Sequence, residues 1–432
     1  MDPTTKINIP ESPLERVVIV GGGFGGLQMA RKIDRRKYQV VLIDKNNYHQ
    51  FQPLFYQVAM SGLEPSSIVF PFRKLFHGKE NIYIRVTEVV EVDPVAKRLQ
   101  TPLGHCNYDH LIIATGADTN YFGNENIRKH ALPMKSVSEA LHLRNVILDD
   151  YEDALTTPGY DPRQELVDIV LVGGGATGVE LAGSLAEMKR YVLPKDYPEL
   201  NIEEEVDIYL IQSGGQLLKG MTDGSSEKAL KYLTEMGVKV LLNSRVTDFD
   251  GKKVTLKDGR VIPTQKVIWA AGVKGQPLPG LPESSVTYGN RLAIDAFHRV
   301  KDTKDIYAVG DVAYLEEEDF PKGHPQVAQV AIQMGENLAR NFRRRSNGQK
   351  MEPFSYNDKG SMATVGRARA VVDLAWPKWH FGGFFAWLAW LVVHLFAILG
   401  TRNKVFVFLN WVVNYINYSK SLRLIIKPKV TK

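Results

Sequence analysis

Three glycines carry the first recognisable chemistry of this chain. Gly21, Gly23 and Gly26 stand in the G-x-G-x-x-G spacing, after Arg16-Val17-Val18-Ile19-Val20 and before Leu27-Gln28-Met29-Ala30-Arg31-Lys32. Each has its own task at a pyrophosphate: a tight turn, close backbone approach to the phosphates, and close packing of helix on strand. Phe24 and Gly25 lie in the same loop, where a helix start offers unpaired N–H groups and a positive dipole end. A second apolar run, Tyr38-Gln39-Val40-Val41-Leu42-Ile43, ends on Asp44, about 20 residues on, where an acid grips ribose hydroxyls. The glycines alone fit any strand–turn–helix. Strand, helix, second strand and acid together point to a bound dinucleotide.

The unit then returns. Val167-Asp168-Ile169-Val170-Leu171-Val172 leads into Gly173, Gly175 and Gly178 at the same spacing, with Ala176 and Glu180 at the start of the helical stretch. Asp207-Ile208-Tyr209-Leu210-Ile211 ends at Gln212, where Asp44 stood before. Each copy closes on a buried strand with a small-residue end: Tyr108 to Ile113 with Ala114-Thr115-Gly116, and Lys266 to Trp269 with Ala270-Ala271-Gly272. First to closing glycine runs from 21 to 116 in one copy and from 173 to 272 in the other. A repeat with matched downstream strands is stronger than either motif.

Two more clusters are polar. Asp305-Ile306-Tyr307-Ala308-Val309-Gly310-Asp311 puts a carboxylate at the C-terminal end of a strand, where open α/β sheets bind ligands; a helix-capping turn aspartate is the plain alternative. His324 to Gly335 reads as a helix with Pro325 at its start. Its Gln329 and Gln333 share a face, suited to a polar uncharged ligand or to solvent. No Ser-His-Asp constellation and no H-E-x-x-H supports hydrolysis, and the single cysteine, Cys106, excludes an intramolecular disulfide, a C-x-x-C pair and a Cys-rich metal site.

The elements around these residues follow from length and pattern. A chain of 432 residues accommodates two or three domains. Residues 1–14 are polar, with Pro3, Pro10 and Pro13, and resemble neither a signal nor a transit peptide. Lys45 to Gln57 reads as a loop into a short helix near the cofactor, or as a packed connector, and Thr156 to Pro162 reads as an inter-domain connection. The net charge of +6 belongs to the tail. Beyond Asp373 no Asp or Glu occurs, while Lys378, Arg402, Lys404, Lys420, Arg423, Lys427, Lys429 and Lys432 do. Without these eight, 46 basic residues face 48 acidic ones, so the main body has no electrostatic footprint for nucleic acid.

The tail is also apolar. Phe381 to Leu399 is free of charge, and nineteen helical residues reach about 28 Å, marginal for a bilayer core. Trp376, Trp379, Trp387, Trp390 and Trp411 are five of the six tryptophans, and tryptophan beside Lys/Arg marks a membrane–water interface. In 405–418, Asn410, Asn414 and Asn417 make a polar stripe on an apolar helix, the pattern of a helix lying in the interface. An apolar dimer surface is the competing reading.

Two nucleotide sites in one chain imply electron traffic between a held flavin and an exchangeable nicotinamide. At this point the chain resembles the type II NADH:quinone oxidoreductases, the single-subunit, non-proton-pumping NADH dehydrogenases of respiratory membranes. The resemblance runs from residue 15 onward. It rests on Gly21–Gly26 with Asp44, Asn47-Tyr48-His49-Gln50-Phe51-Gln52-Pro53-Leu54, Ala114-Thr115-Gly116, Gly173–Glu180, Trp269-Ala270-Ala271-Gly272-Val273 and Gly310-Asp311. Its most specific parts are Ala328-Gln329-Val330-Ala331-Ile332-Gln333, matching the family's quinone-site A-Q-x-A-x-Q, and Tyr356-Asn357-Asp358-Lys359-Gly360.

The resemblance implies an α/β fold of two Rossmann-like dinucleotide-binding domains, the second inserted in the first, plus a C-terminal helical membrane-anchoring segment. The expected bounds are 13–160 and 286–365 for the FAD domain, 161–285 for the NAD(P)H domain and 366–432 for the anchor. It implies that FAD is held by Gly21, Gly23, Phe24, Gly25, Gly26, Asp44, Lys45, His49, Ala114, Thr115, Gly116, Gly310, Asp311, Ala328 and Gln329. The nicotinamide site takes Gly173, Gly175, Ala176, Gly178, Glu180, Gln212, Ala271 and Gly272. Asp311 is expected at the ribityl or phosphate region, Gln329 and Lys359 near the flavin, Gln333 at the quinone, and Glu180 where protons are handled. No metal is implied. NADH would pass a hydride to the flavin, and two electrons would go on to a membrane quinone without proton pumping. NADPH is a candidate second donor, because the family usually has Glu where Gln212 stands. The resemblance also implies a monotopic protein on the cytoplasmic face of a bacterial inner membrane, and a homodimer as one assembly. The alternatives are a soluble NAD(P)H-dependent flavin reductase, or an apoptosis-inducing-factor-like flavoprotein, with a dimerisation tail, and a non-catalytic nucleotide sensor. A sulfide:quinone oxidoreductase needs more than one cysteine.

Overall fold

The computed structural model describes residues 6–417 and 422–426. Tyr418, Lys420, Lys427, Lys429 and Lys432 lie outside them. Contacts divide the chain into two units: residues 1–49, 70–118 and 273–358 form one, and residues 50–69, 119–272 and 359–432 the other. These bounds fall earlier than 160 and 285. Residues 157–159 join the Val137–Thr156 and Tyr160–Val167 helices inside the second unit; they are a turn between helices that pack together, not an inter-domain connection.

The first unit is built on a five-stranded parallel sheet, in the order 306–308, 110–113, 15–20, 38–44, 82–86. Val17, Val18 and Ile19 of the central strand have no exposed surface. That is why these positions read as one apolar run: a parallel strand is covered on both faces. Burying each such side chain contributes roughly 1.5–3 kcal/mol. The Phe24–Lys32 helix packs on the Ala328–Ser346 helix on one side of this sheet. The latter begins at Ala328, three residues later than the Pro325 start expected, because 325–327 form an extended turn tied by Gln326 Nε2 donating to Asp311 O at 2.9 Å.

The second unit repeats the plan with four parallel strands, in the order 239–241, 208–211, 169–172, 267–269, and the Ala176–Tyr191 helix after its glycine loop. Its last segment is an antiparallel sheet of 361–364, 370–373 and 380–383, followed by the helices Phe384–Ala397 and Thr401–Asn417.

The charge-free stretch from Phe381 is therefore not one helix. Its first three residues pair as a strand, and the helix that follows ends at Ala397 with Ile398 extended, Gly400 at φ +82° coming just before Thr401. Fourteen and seventeen helical residues reach about 21 and 26 Å, short of the roughly 30 Å hydrocarbon core. Among the described residues no helix is long and apolar enough to cross a membrane.

Candidate functional site

The two glycine loops have the same local construction. Gly21 sits at φ +102°, and a Cβ there would meet Ala114 O at 2.2 Å; one on Gly26 would meet Gly21 O at 1.9 Å. Gly173 and Gly178 repeat both contacts, against Ala270 O at 2.6 Å and Gly173 O at 1.9 Å. These glycines close the loop against its own sheet. Gly23 and Gly175 differ: a Cβ on either finds nothing within 4 Å. Each is the residue preceding its helix, which has no side-chain cap and no acid in its first turn. The middle glycine thus fronts open space at a helix start that its N-cap side chain does not cap, a cradle that fits a pyrophosphate.

In the first unit the loop is braced from the next strand. Asp44 Oδ2 accepts from Gly22 N at 2.6 Å and its Oδ1 from Asn46 N at 2.7 Å. Burial nevertheless pushes the Asp44 carboxyl above its ordinary range, the two N–H groups offsetting part of that. His49 lies in a three-residue strand, 48–50, where a plain loop was expected. Its Nδ1 is 3.0 Å from Gly22 O; a carbonyl only accepts, so Nδ1 carries the proton. Burial holds this ring neutral, edge-on to Phe24 at 5.1 Å between centroids. His49 therefore supports the loop. Lys45 is exposed, 3.6 Å from Glu88.

The later residues converge on the same end of this sheet. Thr115 Oγ1 donates to Gln276 O at 2.6 Å. Gly310, at φ +77°, faces Ala331 on the Ala328–Ser346 helix, and Ala331 O lies 3.2 Å from where a Gly25 Cβ would be. That helix starts without a side-chain cap or an acid in its first turn, so its positive end stands beside the Gly25 and Gly310 loops and favours negative charge there. Gln329 Nε2 donates to Asp358 Oδ1 at 3.5 Å. Gln333 makes a two-point pair with the backbone of Asn357, donating to its carbonyl and accepting from its N–H, both at 2.9 Å. Its amide thus secures the 356–358 segment. Lys359 is exposed and belongs to the second unit.

In the second unit Gln212 takes the place of Asp44 in geometry as well as in sequence: its Oε1 accepts from Gly174 N at 3.0 Å. The groove beside it, about 740 Å³, is lined by Gly173, Gln212, Ser213, Arg245, Lys257 and Ala271, among others. Arg245 and Lys257 are cations that sequence reading passed over, because they come from a separate antiparallel sheet, 246–249, 253–256 and 261–263, and the loops beside it. Gly272, with the φ +102° of a tight turn, follows the closing strand next to Phe122.

Glu180 does not face this groove. It is 8% exposed and borders a different cavity, about 120 Å³, with Tyr56, Thr364, Trp390 and Trp411. Its Oε1 accepts from Thr364 N at 3.3 Å. Burial raises its carboxyl to about 8, against weaker opposition from Thr364 and Trp390, so it holds a proton at neutral pH. Nothing in the spacing of Tyr56, Thr364 and Trp411 marked them as neighbours of Glu180; tertiary packing alone assembles them.

Paired nucleotide cradles on parallel sheets define a two-nucleotide flavoprotein oxidoreductase, and the profile of the family "Pyridine nucleotide-disulphide oxidoreductase" matches residues 15–335. The chain is 35% identical over 422 residues to the "Type II NADH:quinone oxidoreductase Ndh" of Mycobacterium tuberculosis, covering 93% of this chain and 88% of that protein. It is 27% identical over 440 residues to an internal alternative NAD(P)H-ubiquinone oxidoreductase of Arabidopsis thaliana, with 94% and 85% covered. A second profile, "NDH2 C-terminal domain", matches residues 359–417. The chain belongs to the pyridine nucleotide-disulphide oxidoreductase family and, within it, to the type II NADH:quinone oxidoreductases. In fold it resembles the NDH2 of Plasmodium falciparum in complex with NADH (TM-score 0.87, 23% identical, 96% of this chain and 100% of that one). It also resembles the sulfide:quinone oxidoreductase of Aquifex aeolicus (TM-score 0.70, 18% identical, 94% and 96% covered). The one cysteine here, Cys106, is buried. The family's cofactors are FAD and NAD(H), and the open space before Gly23 and Gly175 fits both.

Proposed function

We propose that this protein oxidises NADH and reduces a membrane quinone, with FAD held by the first unit and NADH by the second. FAD, when bound, supplies two-electron chemistry between a hydride donor and a quinone. The chain's own residues bind, orient and manage protons. Gly21, Gly23 and Gly26 with the uncapped Phe24–Lys32 helix hold the FAD pyrophosphate, Asp44 braces that loop and takes the ribose, and the start of the Ala328–Ser346 helix stabilises negative charge on the bound group. Gly173, Gly175 and Gly178 hold the NADH pyrophosphate. In the first unit Gln329 and Gln333 order the 356–358 segment on the acceptor side, and in the second Glu180 supplies and takes back a proton.

The carrying observation is the pair of cradles built to one plan, each closed by glycines that admit no side chain and each open only at its middle glycine. Steady-state NADH oxidation tests the reading. Turnover should rise at least about tenfold on adding a quinone, and a protein indifferent to quinone would be a sensor or a soluble reductase.

We also read the tail as a membrane-surface anchor. Phe385, Phe396 and Ile416 are 76%, 71% and 68% exposed, while Asn403, Val407, Trp411 and Asn414 line the inward face of the last helix. Of the stripe Asn410, Asn414 and Asn417, only Asn414 is on this inward face, joined by Asn403, while Asn417 is exposed with the apolar residues on the face that points out. Arg402 and Lys404 flank that face without any acid, as suits anionic lipid. A second copy of the chain covering the same face is the alternative; sedimentation without detergent distinguishes a discrete dimer from a vesicle-binding monomer.

NADPH is accepted as a second donor. Gln212 is neutral where an acid would repel a 2′-phosphate, and Arg245 and Lys257 border the same groove. Lys219, seven residues after Gln212 in sequence, is not among the groove's lining residues.

A further inference from the structure

The cavity beside Glu180 carries a feature that pairwise contacts hide. Trp411 Nε1, on the outward-facing tail helix, donates to Gln57 Oε1 at 2.7 Å. Gln57 Nε2 donates to Tyr56 Oη at 2.9 Å. Tyr56 Oη lies 3.0 Å from Thr364 Oγ1, the Thr364 N–H donates to Glu180 Oε1 at 3.3 Å, and the Thr364 hydroxyl also acts to lower the Glu180 carboxyl. Four hydrogen bonds run from a helix on the apolar surface to a buried acid.

We propose that Trp411 is a positioning residue: its indole N–H fixes the direction of the chain through Gln57, Tyr56 and Thr364, and so sets how readily Glu180 gives up its proton. Donor and acceptor chemistry fixes the direction. An indole N–H only donates, so Gln57 must turn its oxygen to Trp411. Its NH2 group then faces Tyr56, and the phenol oxygen accepts from it. The phenol's one proton is left for Thr364 Oγ1, and the threonine proton for Glu180. Every donor points toward the carboxylate, which favours its charged form. Tyr56 and Thr364 are 7% and 3% exposed, so water does not substitute at the link between them. Without the indole N–H, the Gln57 amide can rotate and present its oxygen to Tyr56. The order then reverses and the carboxylate loses a donor.

Trp390 also acts to lower the Glu180 carboxyl, but from outside this chain, and the titratable and charged groups around the cavity do not set its direction. Glu187 and Tyr191 come from its own helix. Glu187 accepts from the backbone N–H of Arg367, and the Arg367 guanidinium lies over the Tyr415 ring at 4.1 Å. His394 stacks on Trp390 at 3.9 Å between centroids, and burial holds its ring near 4, so it is neutral. Asn414 Nδ2, donating to Gly62 O at 2.9 Å, seats the tail helix one turn beyond Trp411.

The proposal rests on the proton role read for Glu180, and its test is independent of turnover. In the full-length FAD-loaded protein, the carbonyl stretch of protonated Glu180 is titrated by infrared difference spectroscopy, assigned by its loss in Glu180→Gln. Trp411→Phe keeps the ring and removes the donor. It should raise the Glu180 midpoint by about half to one pH unit, roughly a three- to tenfold gain in proton affinity. Gln57→Met should give a similar rise, and the double variant no more than either alone, since both cut one chain. An unmoved midpoint in Trp411→Phe overturns the proposal, as does an additive double variant. Should Trp411→Phe fail to fold, an unmoved midpoint in Gln57→Met does the same. If Glu180→Gln leaves the pH profile of quinone reduction unchanged, the proton role falls while the midpoint shift still tests the wiring.

Discussion

At the scale of single residues, the three glycines of each fingerprint are not equivalent. Gly26 has no room for a Cβ, because Gly21 O would stand 1.9 Å away. Gly23 has ordinary dihedrals, φ −66° and ψ −165°, and open space in front. Gly26→Val should therefore cost at least about 3 kcal/mol of stability, read as a lower thermal midpoint. Gly23→Val should fold near the midpoint of the flavin-free parent and purify without flavin absorbance, since its side chain fills the pyrophosphate space. A fully flavinylated Gly23→Val protein would place FAD elsewhere. Gln212 supports a second prediction. Two like charges about 4 Å apart cost roughly 1 kcal/mol in water and about 4 kcal/mol at an effective dielectric of 20. Gln212→Glu should lower kcat/KM for NADPH by about fivefold or more and leave that for NADH within about twofold. Loss of both donors alike would mean that the carboxylate disturbs the Gly174 N–H contact instead of a 2′-phosphate.

At the scale of elements, the tail helices do two jobs that truncation cannot separate. Trp390 of the Phe384–Ala397 helix is 1% exposed, and Ala386 packs with Ala370 and Val372. Removing 374–432 would open the Glu180 cavity and strip this core. Charges on the outward face are the cleaner probe: Phe408 and Ile416 are 51% and 68% exposed. Phe408→Asp combined with Ile416→Asp should weaken binding to anionic vesicles at least about tenfold, about 1.4 kcal/mol. NADH oxidation by a water-soluble acceptor should persist. Vesicle flotation and the soluble assay read the two effects separately, and retained flotation would remove this face as the anchor. The Gln333 pair with Asn357 belongs to this scale too. An element-level brace of this kind explains a glutamine at that position without any ligand contact.

At the scale of the whole molecule, buried ionisable groups set a window of stability. Glu180 is raised to about 8 and Asp168 to about 7, both chiefly by burial. For an acid raised on folding, the native state binds more protons than the unfolded chain. Its stabilisation is full below the unfolded value near 4 and is lost as pH climbs through 7 to 8. His298 is lowered to about 4, as is His394; there the unfolded chain binds more protons, and stability is lost as pH falls from about 6.5 to 4. Between about 4 and 6.5 the two trends oppose each other and above that only the loss remains, so these groups favour the acid side of neutrality. Glu180→Gln should flatten the alkaline side, gaining roughly 3–5 kcal/mol relative to the parent between pH 5 and pH 8.5. Thermal midpoints across that range check it; parallel curves would mean that Glu180 is charged throughout.

Local chemistry was legible in the sequence wherever one short segment makes its own geometry. Gly21–Gly26 and Gly173–Gly178 are such segments, because a strand, a tight turn and a helix start need only neighbouring residues. The same holds for the parallel strands, whose two-sided burial writes continuous apolar runs. The acid-free tail declared its character by composition, since lipid-facing surface and cationic flanks are properties of residue types. Distant partners were not legible. Gln212 reads as an acid's replacement, yet that Arg245 and Lys257 border its groove depends on how a separate antiparallel sheet packs. Glu180 follows a nucleotide fingerprint by two residues, but helix geometry turns it about 200° from Gly178, toward Tyr56 and Thr364 and away from the groove. The single apolar stretch from Phe381 divides into strand, helix and helix because strand pairing and the non-helical turn at 398–400 interrupt it, and hydropathy cannot register either. Sequence determines what each segment can do alone; which segments share a cavity is decided by packing between residues hundreds of positions apart, and the acid beside Thr364 owes its proton to that packing.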